Sequence, residues 1–260
     1  AFPCEVLYHK MNIAKNAIFI YDSMFSGTRS KSLISAMGEV ALLCLQRGEK
    51  MFEGRQVIDV TRRIVSGMTV WPGDPGVVAE RTSSISDGSV ANVSRLSLGV
   101  HSGTHMDAPL HFIEGGKDID SVDISRLFGR VLVVSAQTDV IDEGLLRPYD
   151  LAGVKAVFFR TRASMRDEKT PFWDEYPAIT MGCAEYLVQS GILTVGTDYF
   201  SIELSRDNSY SVHKKLLSHE MAIIENLDLR NIEPGVYDYI CLPLRIAGSD
   251  GSPVRVLLIK

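Results

Sequence analysis

Cysteine is scarce. Cys4, Cys44, Cys183 and Cys241 are four thiols in 260 residues, and no two stand in a CxxC pair. That spacing excludes a zinc knuckle and supplies no disulfide framework. The four read as buried free thiols of a reducing compartment, so a cytoplasmic protein is expected. Basic runs are missing too. Lys and Arg number 27 against 32 Asp and Glu, a net charge of −5, so no nucleic-acid partner is expected. No apolar run reaches the roughly 18 residues of a spanning helix. Ala14–Tyr21 is too short and too interrupted, and no signal-peptide pattern accompanies it. No membrane association is therefore expected. Hydrophobic residues at 45% and charged residues at 23% exclude disorder, collagen and coiled coil as the dominant state.

The chain divides unequally. Over Ile34–Arg47 (ISAMGEVALLCLQR) the apolar residues recur at helical spacing, after a Ser-rich loop at Ser26–Ser32. Met51 stands just before the first strand signal and is the expected start of the ancestral domain. Residues 1–50 are then an appendage with no chemistry assigned, and residues 51–260 are the functional domain.

From Gln56 onward the pattern is strand-rich. Val57–Val60, Val93–Val100, Arg130–Ser135, Ala156–Arg160 and Ile192–Val195 read as strands, several of them short apolar runs of the buried kind. Tyr237–Ile246 and Val254–Ile259 form a hairpin about the Gly248–Gly251 turn. Trp71-Pro-Gly-Asp-Pro75 is a turn, because two prolines and a glycine suit neither helix nor central strand. Short helices are expected at Asp123–Phe128, capped by its Asp, at Thr180–Ser190 with Gly191 as the stop, and at Val212–His219. The fold class is α+β: a β-rich mixed sheet with few, short helices, too few for a regular doubly wound sheet.

Histidine is rare as well, six in all, yet three fall within eleven residues: His101-Ser-Gly-Thr-His105-Met-Asp107-Ala-Pro-Leu-His111. Imidazole and carboxylate are the usual ligands of Zn²⁺, Mn²⁺ or Fe²⁺. The competing explanation is core histidines satisfying hydrogen bonds. It suits one histidine and not three beside an aspartate. Ser102, Gly103 and Pro109 argue against a helical HExxH arrangement. A strand ending at His101 is expected instead. A tight turn at Gly103 then follows, and an extended segment puts His105 and Asp107 on one side. Such a cluster sits on a sheet rim, where loops leave coordination positions open. One loop does not complete a metal site. His213 and His219 lie six apart on different helix faces, and both read as surface residues. Glu225 follows the apolar run Ile223-Ile224, so it ends half-buried and needs a partner or a metal.

The segment His101–Phe112 resembles the signature of the cyclase superfamily, which holds bacterial kynurenine formamidases, isatin hydrolases and other metal-dependent hydrolases. Trp71-Pro-Gly-Asp74, Val195-Gly-Thr-Asp198, Val212-His213-Lys-Lys-Leu-Leu217, Ile224-Glu225-Asn-Leu227 and Gly251-Ser-Pro253-Val-Arg255 extend the likeness from about Val57 to the C-terminus. The resemblance implies a swivelling β/β/α domain with a centre of one or two Zn²⁺ ions, Mn²⁺ being the alternative. His101, His105 and Asp107 would bind the first ion. Asp107 would bridge to a second, held also by His213 and Glu225, and His111 would transfer protons. After Asp198 the formamidases continue with a small residue or Pro, then Ser and Asp. Here the chain reads Tyr199-Phe200-Ser201-Ile-Glu203, in the region that borders substrate.

The implied reaction is hydrolysis of an amide C–N bond by hydroxide generated at the metal. Thr104 or backbone N–H groups near Gly103 would stabilise the oxyanion, and His111 would protonate the leaving nitrogen. An N-formyl arylamine of the N-formylkynurenine kind would give an aromatic amine and formate, with Trp71, Tyr199 and Phe200 as a flat apolar wall. The alternatives are a cyclic amide, imide or ester such as isatin, and a non-catalytic metal-binding protein, against which His111 argues. A small, aromatic substrate and a homo-oligomer, in its simplest form a homodimer, complete the expectation.

Overall fold

A computed structural model describes residues 54–204 and 209–260. The helix expected over Ile34–Arg47 lies outside the described residues. Strands are numbered here along the chain: β1 (Val57–Asp59), β2 (Val78–Ser83), β3 (Val93–Ser97), β4 (His105–Asp107), β5 (Phe128–Ser135), β6 (Val140–Ile141), β7 (Ala156–Arg160), β8 (Ala178–Ile179), β9 (Thr194–Thr197), β10 (Ala222–Glu225), β11 (Gly235–Pro243) and β12 (Gly251–Ile259). Two α-helices stand among the described residues, α1 (Met181–Gln189) and α2 (Ser211–Ser218).

The short apolar runs make the centre of the sheet. β5, β7, β9 and β10 pair in parallel, and β11 and β12 join as an antiparallel hairpin beside β5. The order is β1-β12-β11-β5-β7-β9-β10-β4, and β4 pairs with both β10 and β12. The sheet therefore closes on itself. Alternation along each strand divides the apolar residues between two cores. Val131, Val133, Phe158, Ile224, Met106 and Val256 fill the inside of the closed sheet. Leu132, Val134, Phe159, Val195 and Ile223 point outward and are covered by Cys183, Leu187, Leu216 and Leu217 of the two helices. Burial on both faces is why these strands read as continuous apolar runs.

The helix ends follow their capping chemistry. Thr180 accepts from the Cys183 N–H at the start of α1, and Gly191 takes φ +72° after its end. Asp123 caps only a 3₁₀ turn, Ile124–Arg126, because Phe128 already belongs to β5. A second correction concerns the strand expected over Val93–Val100. β3 stops at Ser97 and pairs only with β2, in an exposed two-stranded ribbon apart from the large sheet. Gly99 turns the chain there, its carbonyl accepting from the Ser102 N–H, so His101 stands on a turn rather than at a strand end.

Candidate metal centre

Gly103 adopts φ +65°, the left-handed turn that a Cβ-free residue takes readily. The chain then enters β4, where the side chains of His105 and Asp107 fall on one face and Met106 on the other, in the inner core. Register completes the grouping. His105 lies opposite Glu225 of β10, and Asp107 opposite Gly251 of β12. This is the carboxyl end of β10, on the outer face of the closed sheet. α2 packs against that face and carries His213 inward beside Val212, Leu216 and Leu217. His219, beyond the end of α2, is exposed.

Three sets of three ligand-type residues result among the described residues, each with donor atoms within 4.8 Å of one another: His101, His105 and Asp107; Asp107, His213 and Glu225; and His101, His111 and Asp250. Asp107 belongs to the first two. Its Oδ1 lies 3.0 Å from His101 Nδ1 and 3.5 Å from His105 Nε2, while its Oδ2 faces His213 Nε2 at 3.8 Å. Glu225 spans the same gap, 3.3 Å from His105 Nε2 and 3.2 Å from His213 Nε2. His105 Nδ1 is 3.0 Å from the Gly103 carbonyl, which can only accept, so Nδ1 carries the proton and Nε2 offers its lone pair inward.

Three tests of fit favour a metal. Asp107 Oδ2 is fully buried without a hydrogen-bond partner, and a carboxylate oxygen left so is costly unless a cation serves it. Imidazole nitrogen and carboxylate oxygen suit Zn²⁺ and Mn²⁺. Gly251 leaves open a space in which a Cβ would stand 2.7 Å from His101 Cε1, so the ring can lie close against β12. The charges answer one another as well. Burial would lower His101 and His213, but hydrogen bonds to Asp107 and Asp250, and to Glu203 and Glu225, overturn it and raise both rings to about 10. Burial would raise Asp107, and its histidine neighbours hold it far below the usual carboxylate range.

A family profile described as "Putative cyclase" matches residues 58–204. A kynurenine formamidase from Erythrobacter litoralis is 32% identical over 78% of this chain and 94% of its own. The chain belongs to the cyclase family. A predicted metal-dependent hydrolase from Bacillus stearothermophilus superposes with TM-score 0.67 at 31% identity, over 79% of this chain and 98% of that one. Isatin hydrolase A from Labrenzia aggregata superposes with TM-score 0.72 at 21% identity, over 83% of this chain and 98% of its own, a likeness of fold.

In this member of the cyclase family His101, His105, His213 and Glu225 open onto a cavity of about 430 Å³, with Asp107 buried behind them. His111 lines it, stacked on His101 with ring centroids 3.9 Å apart. Trp71 and Phe200 stand in its wall, joined by Phe112 and Tyr210. Tyr199 does not line it. That ring is wholly buried, stacked on Tyr176 and Trp173, and its hydroxyl accepts from the Trp173 N–H and donates to the Trp173 carbonyl. Tyr199 thus backs the wall that Phe200 presents. Thr104 is likewise committed elsewhere. Its Oγ1 accepts from the Arg62 N–H and donates its single proton to the Asn226 carbonyl, so it has none left for an oxyanion. Glu225, expected half-buried, is buried, and so is His213. Sequence reasoning passed over Asp250, whose Oδ2 reaches His101 Nε2 at 2.9 Å and His111 Nδ1 at 3.2 Å. It also gave no role to Glu203, 3.4 Å from His213 Nδ1. An acidic residue directly before the Gly251-Ser-Pro253 segment was the available signal for the first.

Proposed function

We propose that this metal-dependent hydrolase of the cyclase family cleaves the amide C–N bond of an N-formyl arylamine of the N-formylkynurenine kind, giving the free arylamine and formate. The observation that carries the reading is Asp107 shared between two ligand triads, with His111 beside them in a cavity walled by Trp71, Phe112 and Phe200. His101, His105 and Asp107 would hold one Zn²⁺, and Asp107, His213 and Glu225 a second. Mn²⁺ fits the same donors. A divalent metal held there lowers the pKa of water toward about 7 and polarises a carbonyl.

The residues of the chain do the rest. Burial lowers His111 from its ordinary imidazole value, which favours the neutral ring that can take a proton. It accepts one as water attacks the formyl carbon and returns it to the departing nitrogen, so the C–N bond breaks with a neutral amine leaving. The aromatic walls receive the aryl ring and exclude water from it. A homodimer in the cytoplasm is part of the same reading. Free, buried Cys183 and Cys241 support the reducing compartment. No helix among the described residues is long and apolar enough to cross a membrane.

The test is turnover of N-formylkynurenine, formanilide, isatin and a cyclic imide by protein reconstituted with Zn²⁺ or Mn²⁺. Formate release from the formyl substrates is expected. Turnover confined to isatin or the imide would replace the formamidase reading with ring-opening hydrolysis, and no turnover with a full metal complement would refute both.

A further inference from the structure

Asp250 sits in the turn between β11 and β12, and its backbone carbonyl accepts from the Ala108 N–H at 2.9 Å. This ties the turn to the segment that carries the histidines. Its side chain directs one oxygen, Oδ2, at two rings: His101 Nε2 at 2.9 Å and His111 Nδ1 at 3.2 Å. The two rings stack at 3.9 Å and 26°. A carboxylate can only accept, so each ring must present an N–H to it.

We infer that Asp250 is the positioning residue that orients the first metal ligand and the proton-transfer histidine together. The inference rests on the hydrolytic reading above. With an ion bound, His101 would keep its hydrogen on Nε2 for Asp250 and give up the one that Nδ1 presents to Asp107 Oδ1, 3.0 Å away, so that Nδ1 turns its lone pair to the ion. With hydrogen on Nδ1, His111 leaves Nε2 to exchange a proton with water and the leaving nitrogen. When His111 takes up that proton, the negative charge of Asp250 stabilises the imidazolium, as the aspartate of a Ser-His-Asp triad does for its histidine. A single carboxylate thus holds the metal ligand and the proton carrier in one stack. A carboxylate hydrogen-bonded to a metal-binding histidine is a common arrangement. Here the same oxygen makes a second hydrogen bond, to the proton carrier.

The experiment uses the full chain with Asp250→Ala and the near-isosteric Asp250→Asn, which keeps an acceptor oxygen. Zn²⁺ affinity is read by chelator competition, and ¹⁵N imidazole shifts report which ring nitrogen carries hydrogen. In Asp250→Ala, Zn²⁺ affinity should fall about 10–100-fold, and the Nδ1–H signal of His111 should move toward the other tautomer. Asp250→Asn should show smaller changes in both. On a formamide that the wild type turns over, kcat of Asp250→Ala should fall with KM little changed, and acetate should restore part of it. A merely structural role in the turn would give no acetate rescue. Unchanged Zn²⁺ affinity or unchanged His111 signals in Asp250→Ala would overturn the assignment. Neither readout needs a substrate, so failure of the formamidase reading stays distinct.

Discussion

Gly251→Ala tests the geometry of the centre with one methyl group. Gly251 lies outside the left-handed region, so alanine meets no backbone strain there. The added Cβ would stand 2.7 Å from His101 Cε1 and 2.9 Å from the Met106 carbonyl. Ordinary van der Waals contact begins at 3.4 Å, so about 0.7 Å must be found. The Met106 carbonyl belongs to β4, pinned between β10 and β12. The His101 ring, on a turn, yields to the first contact, and β12 must shift slightly from β4 to relieve the second. Metal–ligand distances tolerate only about 0.2 Å, and misplacement near 1 Å costs on the order of 100-fold in rate. Gly251→Ala should therefore retain its fold, at a penalty of about 1–3 kcal/mol for overpacking. It should bind less Zn²⁺ than the wild type and lose at least about tenfold in turnover. Metal stoichiometry by elemental analysis, thermal melting and turnover measure the three effects. Gly76→Ala is the control, since its Cβ meets nothing within 4 Å and its φ is not left-handed. Wild-type metal content and turnover in Gly251→Ala would refute the placement of His101 over β12.

His111→Ala should keep its metal and lose about 10²–10⁴-fold in turnover, measured as kcat beside metal content; an unchanged kcat would move proton transfer to another group. Asp107→Ala, which removes the residue common to both triads, should lose most bound metal by elemental analysis. In metal-free protein, His101 and His213 are raised from 6.5 to about 10. A raised histidine contributes fully below its unfolded value and loses that contribution as pH passes its folded value. The melting temperature of chelator-stripped protein should thus fall as pH rises from 6.5 to about 10 through this pair. Zn²⁺ uptake at pH 8 should release protons, read from the dependence of calorimetric heat on buffer ionisation; uptake without proton release contradicts the paired histidines. Finally, a chain beginning at Met51 should still bind metal and turn over substrate, because every candidate site residue lies within the compact unit Arg55–Lys260. A stable, metal-loaded but inactive truncation would place part of the pocket in residues 1–50.

Local chemistry made much of this fold legible from the sequence. Apolar runs such as Ala156–Arg160 are strands because burial on both faces selects β-branched and aromatic side chains. Thr180 and Gly191 bound a helix because their side chain and backbone freedom satisfy its ends. His101, His105 and Asp107 announced a shared centre because a glycine turn and an extended step of two place them together. What the sequence did not disclose depends on pairing between distant segments. Register alone sets Glu225 opposite His105 and Gly251 opposite Asp107. Only helix packing turns His213 inward while His219 stays in solvent. Thr104 and Tyr199 looked available to substrate, and their hydroxyls are consumed by Asn226 and Trp173, at positions 122 and 26 residues away. Asp250 stands 149 residues from His101 and 139 from His111. Spacing and propensity act over a few residues, whereas closing the sheet decides which remote side chains share a buried space and must satisfy one another's charge and hydrogen bonds.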